Sequence, residues 1–486
     1  MSTQAAAAVV DLAHHRDDPV ITTLRTSFQR MHQLSRSEAP PTVAERRARL
    51  DALERVLRAN QTAITEACNA DFGARSRHET LLADIFPTMA TLKHTRKHLA
   101  GWAKPRRAPV HWAFQPGSAR VVPQPLGVIG IIAPWNYPVQ LSLSPLVAAL
   151  AAGNRAIIKP SELTPNTSAL LAKMMTEAFD PSVVTVAQGG VEVAEAFSRL
   201  PFDHILFTGS TRVGAMVMRA AADNLTPVTL ELGGKSPAVI HDSFPMDLAA
   251  ERIMAGKLLN AGQTCIAPDY VLVPHGKTAE FIEACKQVVA KTRPTLRDNP
   301  DYTAVVNDRQ YLRLCQWLDD AKSKGAQVIE INPANEEFLA AAHKMPPTLV
   351  TATSDDMILM QEEIFGPILP VLEHTGTDDA IAYINARPRP LALYYFDRDS
   401  SRVNAVMQRT TSGGVTINDT ILHIAQEDLP FGGVGPAGMG AYHGQRGFDT
   451  LSHLKGVFYQ SRINGAFLMN PPYGPRLERL VSILTA

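Results

Sequence analysis

Cysteine is scarce, with four in 486 residues, and no two of them form a C-x-x-C pair. So few thiols in so long a chain exclude a disulfide framework, and their wide scatter excludes a structural zinc site. A surplus of charge of either sign is also missing: 47 basic residues face 47 acidic ones, and the one basic run is Lys104-Pro105-Arg106-Arg107. No polyanion-binding field results, and nucleic acid is excluded as an expected partner. Long apolar runs are missing too. The start of the chain has no basic segment, and its apolar run at residues 5–10 is too short for a signal peptide or a span. Residues 477–484 alternate apolar and charged types in helical fashion, which at most suits a membrane surface. A cytoplasmic protein is expected. There is no internal repeat and no low-complexity tract, and residues 1–20 lack an amphipathic period and are expected to be weakly ordered.

The 45% hydrophobic and 19% charged composition is that of a globular chain with large cores. After Pro40-Pro41, the stretch Thr42-Val43-Ala44-Glu45 has the form of a capping box, and Leu50, Leu53, Val56 and Leu57 share a helical face. Helices are expected to about residue 103. The segment 105–125 changes character, with prolines and a short strand at Arg120-Val121-Val122. The run Gly127-Val128-Ile129-Gly130-Ile131-Ile132-Ala133 then reads as a strand buried on both faces. A helix over 140–152 follows, closed by Gly153, and Arg155-Ala156-Ile157-Ile158-Lys159 is the next strand. Thr164-Pro165 marks a further helix start, with the threonine as cap. Further strands at 183–187 and 204–208, alternating with helices, predict right-handed βαβ units and a doubly wound sheet, which binds ligands at the carboxyl ends of its strands.

Several stretches at such ends carry chemistry. Gly209-Ser210-Thr211-Arg212-Val213-Gly214 joins a strand to a helix, where free N–H groups suit a diphosphate; an ordinary turn is the competing reading. Glu231 stands alone in the apolar strand end Val228-Thr229-Leu230-Glu231-Leu232, before Gly233-Gly234. A carboxylate there is paired with a lysine, solvated through a channel, or raised in pKa. Cys265, in Asn260-Ala261-Gly262-Gln263-Thr264-Cys265, follows an apolar helical run among small residues that leave the sulfur approachable. Taken alone it is an ordinary packing cysteine, as Cys68, Cys285 and Cys315 are expected to be. Glu362-Glu363-Ile364-Phe365-Gly366-Pro367 and Leu429-Pro430-Phe431-Gly432-Gly433 are rigid loops, beside a ligand or as plain turns.

Together, Pro134-Trp135-Asn136-Tyr137-Pro138, Lys159-Pro160-Ser161-Glu162, Phe207-Thr208-Gly209-Ser210-Thr211, Leu230-Glu231-Leu232-Gly233-Gly234-Lys235, Gly262-Gln263-Thr264-Cys265 and Glu363-Ile364-Phe365-Gly366-Pro367 resemble the aldehyde dehydrogenase superfamily, over about residues 40–475. Gly438-Met439-Gly440-Ala441-Tyr442-His443-Gly444 and Phe448-Asp449-Thr450 look like its class 3 branch. Asn418-Asp419-Thr420-Ile421-Leu422-His423 with Arg77-His78-Glu79-Thr80 is most similar to bacterial coniferyl aldehyde dehydrogenases. The resemblance implies an α/β fold with a Rossmann-type NAD-binding domain (20–104 and 126–230), an α/β catalytic domain (231–431) and a β oligomerisation arm (105–125 and 432–470). It implies a homodimer and NAD-dependent oxidation of an aromatic or medium-to-long aliphatic aldehyde to its acid. Cys265 is then the nucleophile, Glu231 the general base, and the Asn136 amide with the Cys265 N–H the oxyanion site. Lys159 and Glu162 fall at the adenosine ribose, Gly209, Ser210 and Gly214 at the diphosphate, and Glu363 and Phe365 at the nicotinamide. Tyr137 and Phe431 are candidate substrate contacts. Glu162 favours NAD, since a carboxylate repels a 2′-phosphate, while Lys159 partly offsets this and leaves NADP open.

Two departures stand out. Gly435-Pro436-Ala437-Gly438 replaces the asparagine and serine usual between those glycines in class 3, which puts a polar contact in doubt; and no long hydrophobic tail follows Pro471-Pro472-Tyr473. Two other readings stay open: an acylating or other semialdehyde dehydrogenase on the same fold, against which the presence of Glu231 counts, and an NAD-binding homologue without catalysis. His423 and His443 are expected to be packed or solvated and are left out of the site.

Overall fold

The computed structural model describes residues 18–466 and 470–485. Of the opening segment expected to be weakly ordered, residues 1–17 lie outside the described residues, while Asp18 accepts from the Val20 amide at 2.7 Å and caps the helix Pro19–Ser37. That helix forms because Ile21, Leu24, Phe28 and Met31 recur at helical spacing and bury one face. The expected capping box is present: Thr42 and Glu45 bond reciprocally at the start of Val43–Ala59.

A six-stranded sheet is built from the apolar runs. In spatial order its strands are Gly438–Met439, Val228–Glu231, His204–Thr208, Val128–Ile132, Arg155–Lys159 and Val184–Val186, all parallel except the first. Every residue of Val128–Ile132, Arg155–Lys159 and His204–Thr208 is buried, as continuous apolar strands between helical layers require. Gly153 ends the helix Gln140–Ala152 at φ 93°, in the left-handed region that favours glycine. Thr164 does not cap the next helix, Pro165–Ala178. Its hydroxyl turns back to the Ser161 carbonyl, and the orphan amides of Asn166 and Thr167 go instead to the Asp71 carboxylate at 2.9 and 2.8 Å. A carboxylate from a neighbouring helix outcompetes a local hydroxyl because it accepts both amides at once.

A second, seven-stranded sheet follows the order Gln327–Glu330, Thr348–Thr351, Ile368–His374, Tyr270–Pro274, Pro237–Ile240, Ala392–Phe396 and Gly414–Ile417, parallel except at its first strand. A third sheet is antiparallel: Arg106–Ala108, Ser118–Pro125 and Ser452–Tyr459. Its central strand is longer than the three residues expected. It tolerates Pro123 and Pro125 because Arg106–Ala108 pairs only as far as Val121, so the prolines have a neighbour on one side alone. Gly438–Met439 belongs to the six-stranded sheet, whereas Ser452–Tyr459 joins the third. Among the described residues, no helix is long and apolar enough to cross a membrane.

Candidate active site

The strand Val228–Glu231 ends on Glu231, and the helix Met246–Leu258 delivers the chain to Cys265 through the tight turn Leu259–Gly262. In that turn Asn260 and Ala261 both have φ 52°, a left-handed conformation that costs a non-glycine residue on the order of 1–3 kcal/mol. Gly262, at φ 75°, is required by space as well, since a Cβ there would lie 2.3 Å from the Gly366 carbonyl oxygen.

Buried hydrogen bonds hold this strained turn. The Asn260 amide donates to the Glu79 carboxylate at 3.1 Å, and its Nδ2 donates to the carbonyls of Asn136 and Gln263 at 3.0 and 3.2 Å. Gln263 is fully committed: Nε2 donates to Asn260 and Ala304 carbonyls, and Oε1 accepts from the Val306 amide at 2.9 Å. Asn136 Nδ2 donates to the Gln263 carbonyl at 3.1 Å, so the loops bearing Asn136 and Cys265 are bonded to each other. The loop of Asn136 is anchored below by a buried ion pair. Arg75 donates to the Asn136 carbonyl at 2.6 Å and to Asp84 Oδ2 at 2.8 Å, while Asp84 Oδ1 accepts from the amides of Val139 and Gln140. Asp84 sits in a π-helical segment, Leu81–Ile85, an uncommon local geometry that is frequent at functional sites.

Cys265 lies at the meeting point of two hollows. One is a small, largely enclosed cavity of about 30 Å³ lined by Cys265, Glu231, Thr208, Tyr137, Phe431 and Tyr442. The other is an open cleft of about 980 Å³, which also reaches Cys265 and Thr208. Burial pushes the Cys265 thiol up to about 12, with the nearby Glu363 and Glu231 carboxyls adding to the rise; the Cys265 and Ile266 amides face the sulfur and oppose it. Glu231 is buried, and neither oxygen has a hydrogen-bond partner among the described residues. The lysine pairing that competed in the sequence is not there, and desolvation raises the Glu231 carboxyl well above the usual range. Tyr137 lines the small cavity with its hydroxyl 2.5 Å from Thr264 Oγ1.

The cleft gathers Asn136, Gly209, Ser210, Glu363 and Phe365, as the sequence places them. Ser210 caps the helix Thr211–Ala222 by accepting from the Val213 amide, and the start of that helix borders the cleft. A Cβ on Gly209 would meet the Phe207 ring at 2.6 Å, and one on Gly233 the Glu363 carboxylate at 2.0 Å, so this cradle needs bare backbone. Glu363 is raised to about 8, chiefly by burial and then by Asp269. Its loop is pinned by Lys235, which pairs with Asp269 and donates to the carbonyls of Leu359 and Glu362. Phe365, at φ 50°, stands edge-on to Trp135 at 5.3 Å.

Other expected cofactor residues fall outside the cleft wall. Lys159 is buried at the end of its strand and donates to the Pro160 carbonyl at 2.8 Å and to Glu162 at 3.2 Å. Gly214 lies within the helix, where a Cβ would collide with Leu232 at 2.6 Å, so its part is helix-to-strand packing. At Gly435-Pro436-Ala437-Gly438 the doubtful side-chain contact is replaced by backbone: the Pro436 carbonyl accepts from Thr211 Oγ1 and the Ala437 carbonyl from the Leu232 amide. His423 and His443 each stack on the Phe431 ring, at 5.9 and 5.1 Å.

The sequence did not reveal the bracing groups Arg75, Asp84 and Glu79, or Tyr442 in the cavity wall. It also missed the arginines of the cleft, Arg212, Arg309, Arg313, Arg387 and Arg389. These come from distant parts of a chain with no net charge, so no local run announces them.

Residues 27–457 match the model of the Aldehyde dehydrogenase family. The chain is 52% identical over 97% of its length to a protein of Pseudomonas aeruginosa named a probable coniferyl aldehyde dehydrogenase, covering 98% of that protein. It is 48% identical, over 95% of its length and 96% of the relative, to a coniferyl aldehyde dehydrogenase of a Pseudomonas species. Its fold superposes on the substrate-bound state of Staphylococcus aureus AldH with a TM-score of 0.90, at 37% identity, covering 95% of this chain and 99% of that one. With the strained cysteine turn, the isolated buried glutamate and the glycine-lined cleft, these matches establish that the chain belongs to the aldehyde dehydrogenase family, enzymes that oxidise an aldehyde to its acid with NAD(P).

Proposed function

We propose that the protein oxidises an aromatic aldehyde of the coniferyl type, or a medium-to-long aliphatic one, with Cys265 as nucleophile, Glu231 as general base and Asn136 with the Cys265 amide as the oxyanion site. The observation that carries this reading is the position of Cys265, shared between the glycine-lined cleft and the cavity that contains Glu231. Burial pushes the Cys265 thiol up to about 12, so attack on the carbonyl carbon requires a base, and Glu231 in the same cavity takes the proton in its ionised form, which its own burial makes the scarcer one. The C–S bond forms as the carbonyl oxygen becomes an oxyanion. That oxyanion is met by the Cys265 amide and the second N–H of Asn136 Nδ2; one such donor is worth about 3 kcal/mol. The dinucleotide, when bound, supplies the hydride acceptor. Glu231 then releases the thiol's proton to solvent, and the thioester left on Cys265 is hydrolysed by a water that the ionised Glu231 deprotonates.

Gly209, Ser210 and the helix start at Thr211 would hold the diphosphate, and Glu363 with Phe365 the nicotinamide end. Lys159 and Glu162, beyond the cleft wall, are assigned to the adenosine ribose; the half-exposed Glu162 carboxylate would favour NAD over NADP. The six-stranded sheet is read as the dinucleotide-binding domain, the seven-stranded sheet as the catalytic domain, and the antiparallel sheet as an arm between the subunits of a homodimer. The exposed Trp112, Leu454, Phe458 and Tyr459 around that arm suit a partner surface. A cytoplasmic location accords with four unpaired cysteines. Tyr137 and Phe431 are the proposed substrate contacts, as apolar rings in the wall of the small cavity beside Cys265.

An aldehyde panel of coniferyl aldehyde, octanal and a short semialdehyde, assayed with NAD and NADP and with Cys265→Ala as the blank, tests this reading. Acid product from the first two, favoured by NAD and missing from the blank, is expected. Turnover of the semialdehyde alone, or acyl-CoA formed only when CoA is added, would overturn the substrate and the hydrolytic step. Sedimentation velocity of the same preparation is expected to give a dimer.

A further inference from the structure

The small cavity beside Cys265 is walled almost wholly by apolar surface, and its lining residues are all buried except two, Cys265 and Ile424, which are half-buried. Cys265 opens onto the large cleft. Ile424 is no part of the cleft wall, so it meets solvent on another side. The cavity wall is therefore thin at two places, one at the sulfur and one at Ile424.

A strained loop holds Ile424 there. The residue belongs to the short turn Leu422–Ala425, which Ile421 enters at φ 52°. Left-handed backbone at a β-branched residue is a genuine outlier and costs on the order of 1–3 kcal/mol. Neighbouring groups contain that strain. Thr420 Oγ1 donates to the Arg252 carbonyl at 2.9 Å, a Cβ on Gly256 would lie 2.3 Å from the same hydroxyl, and the Arg252 guanidinium donates to the Asn418 carbonyl. Within the turn His423 is buried, with Nδ1 2.9 Å from Thr416 Oγ1. The loop is thus tied to the helix Met246–Leu258 and to the strand Gly414–Ile417, and Ile421 and Ile424 pack on the same core cluster as Cys265.

We propose that Ile424 is the gate by which the aldehyde reaches Cys265, and that its bulk restricts the reaction to aldehydes unbranched next to the carbonyl carbon. This rests on the proposed roles of Cys265 as nucleophile and of the cleft as the dinucleotide's seat. The cleft side of Cys265 is then taken while the aldehyde is attacked, so the aldehyde's way in is the other thin place in the wall. The cavity measures about 30 Å³, where one water takes roughly 10–15 Å³ on this scale. A thin carbon chain fits that space, and a ring bonded directly to the carbonyl carbon does not. In coniferyl aldehyde a double bond separates the ring from the carbonyl, and octanal carries no ring. The rest of either molecule lies at Ile424 and beyond, where the exposed Leu422 of the same turn offers apolar surface.

Ile424→Ala removes the bulk of the gate and Ile424→Trp fills it. Both are assayed with octanal, coniferyl aldehyde and benzaldehyde under saturating NAD, beside Cys265→Ala, and NAD affinity is read separately from protein fluorescence. Ile424→Ala is expected to raise the kcat/KM ratio of benzaldehyde to octanal by about tenfold or more, the worth of a few carbons in an apolar pocket. Ile424→Trp is expected to lower kcat/KM for octanal and coniferyl aldehyde by at least about tenfold. NAD affinity is expected to stay within about twofold in both, as for a residue remote from the cleft. The ratio in Ile424→Ala decides where Ile424→Trp fails to fold. An unchanged ratio in Ile424→Ala, an equal fall for every aldehyde, or a large loss of NAD affinity overturns the gate, and with an inactive Cys265→Ala it leaves the proposed chemistry standing. Undiminished turnover in Cys265→Ala overturns that chemistry and the gate with it.

Discussion

Glu231 is held at a cost to the folded state. Its carboxylate has no donor within reach among the described residues, and burial raises its pKa well above the usual value. Below the unfolded-state pKa, near 4.5, folded and unfolded forms are both protonated and there is no penalty. As pH rises past that value the unfolded chain releases the proton while the folded one retains it, so stability is lost progressively up to the folded-state pKa. Glu231→Gln, which cannot ionise, is therefore expected to melt a few degrees higher than the wild type at pH 8, with the gap closing toward pH 4; a pH series of melting curves reads this. A gap that stays constant with pH, or one that widens toward acid, contradicts the assignment. Such a stability gain at an acid-base residue is the usual trade between stability and function. Glu231 was conspicuous in the sequence as a lone charge in an apolar strand. Tyr442 was not, since one tyrosine among glycines has no feature to set it apart from a packed ring.

At the scale of elements, the site depends on a helix far from it in sequence. Arg75 and Asp84 are fully buried and tie the π-helical segment to the loop of Asn136, while Glu79 from the same region holds the Asn260 turn. Breaking a buried ion pair from one side leaves its partner uncompensated and typically costs about 3–5 kcal/mol. Asp84→Asn is expected to lose stability on that order in urea unfolding, and to lower kcat more than dinucleotide affinity, because Asn136 is displaced and the Ser210 helix is not. The double variant Arg75→Met with Asp84→Leu should recover little, since the amides of Val139 and Gln140 also need Asp84. An unchanged unfolding midpoint in Asp84→Asn would show that the brace carries no energy. Periodicity and capping chemistry made the buried strands, the helix Gln140–Ala152 and the Thr42 capping box legible in the sequence, because each is fixed by local residues. The cap at Asp71 and the brace at Asp84 were not, because their partners lie far along the chain and only the fold brings them together.

On the scale of the whole molecule, two parallel sheets present their strand ends to one cleft, and Cys265 stands where that cleft meets the cavity of Glu231. The alternation of strands and helices over residues 127–240 was enough to infer the first sheet. The order of strands in the second was not legible, because its neighbours are set by long crossovers rather than by adjacent runs. The central claim is that chemistry passes through the sulfur at this junction. It is tested most directly by mixing the protein with aldehyde and NAD, quenching in acid within the first turnover and mapping the peptides by mass. The account predicts one acyl group, on the peptide carrying Cys265, and none on Cys68, Cys285 or Cys315. An acyl group on another residue, or NADH produced at the wild-type rate by Cys265→Ala, would contradict it.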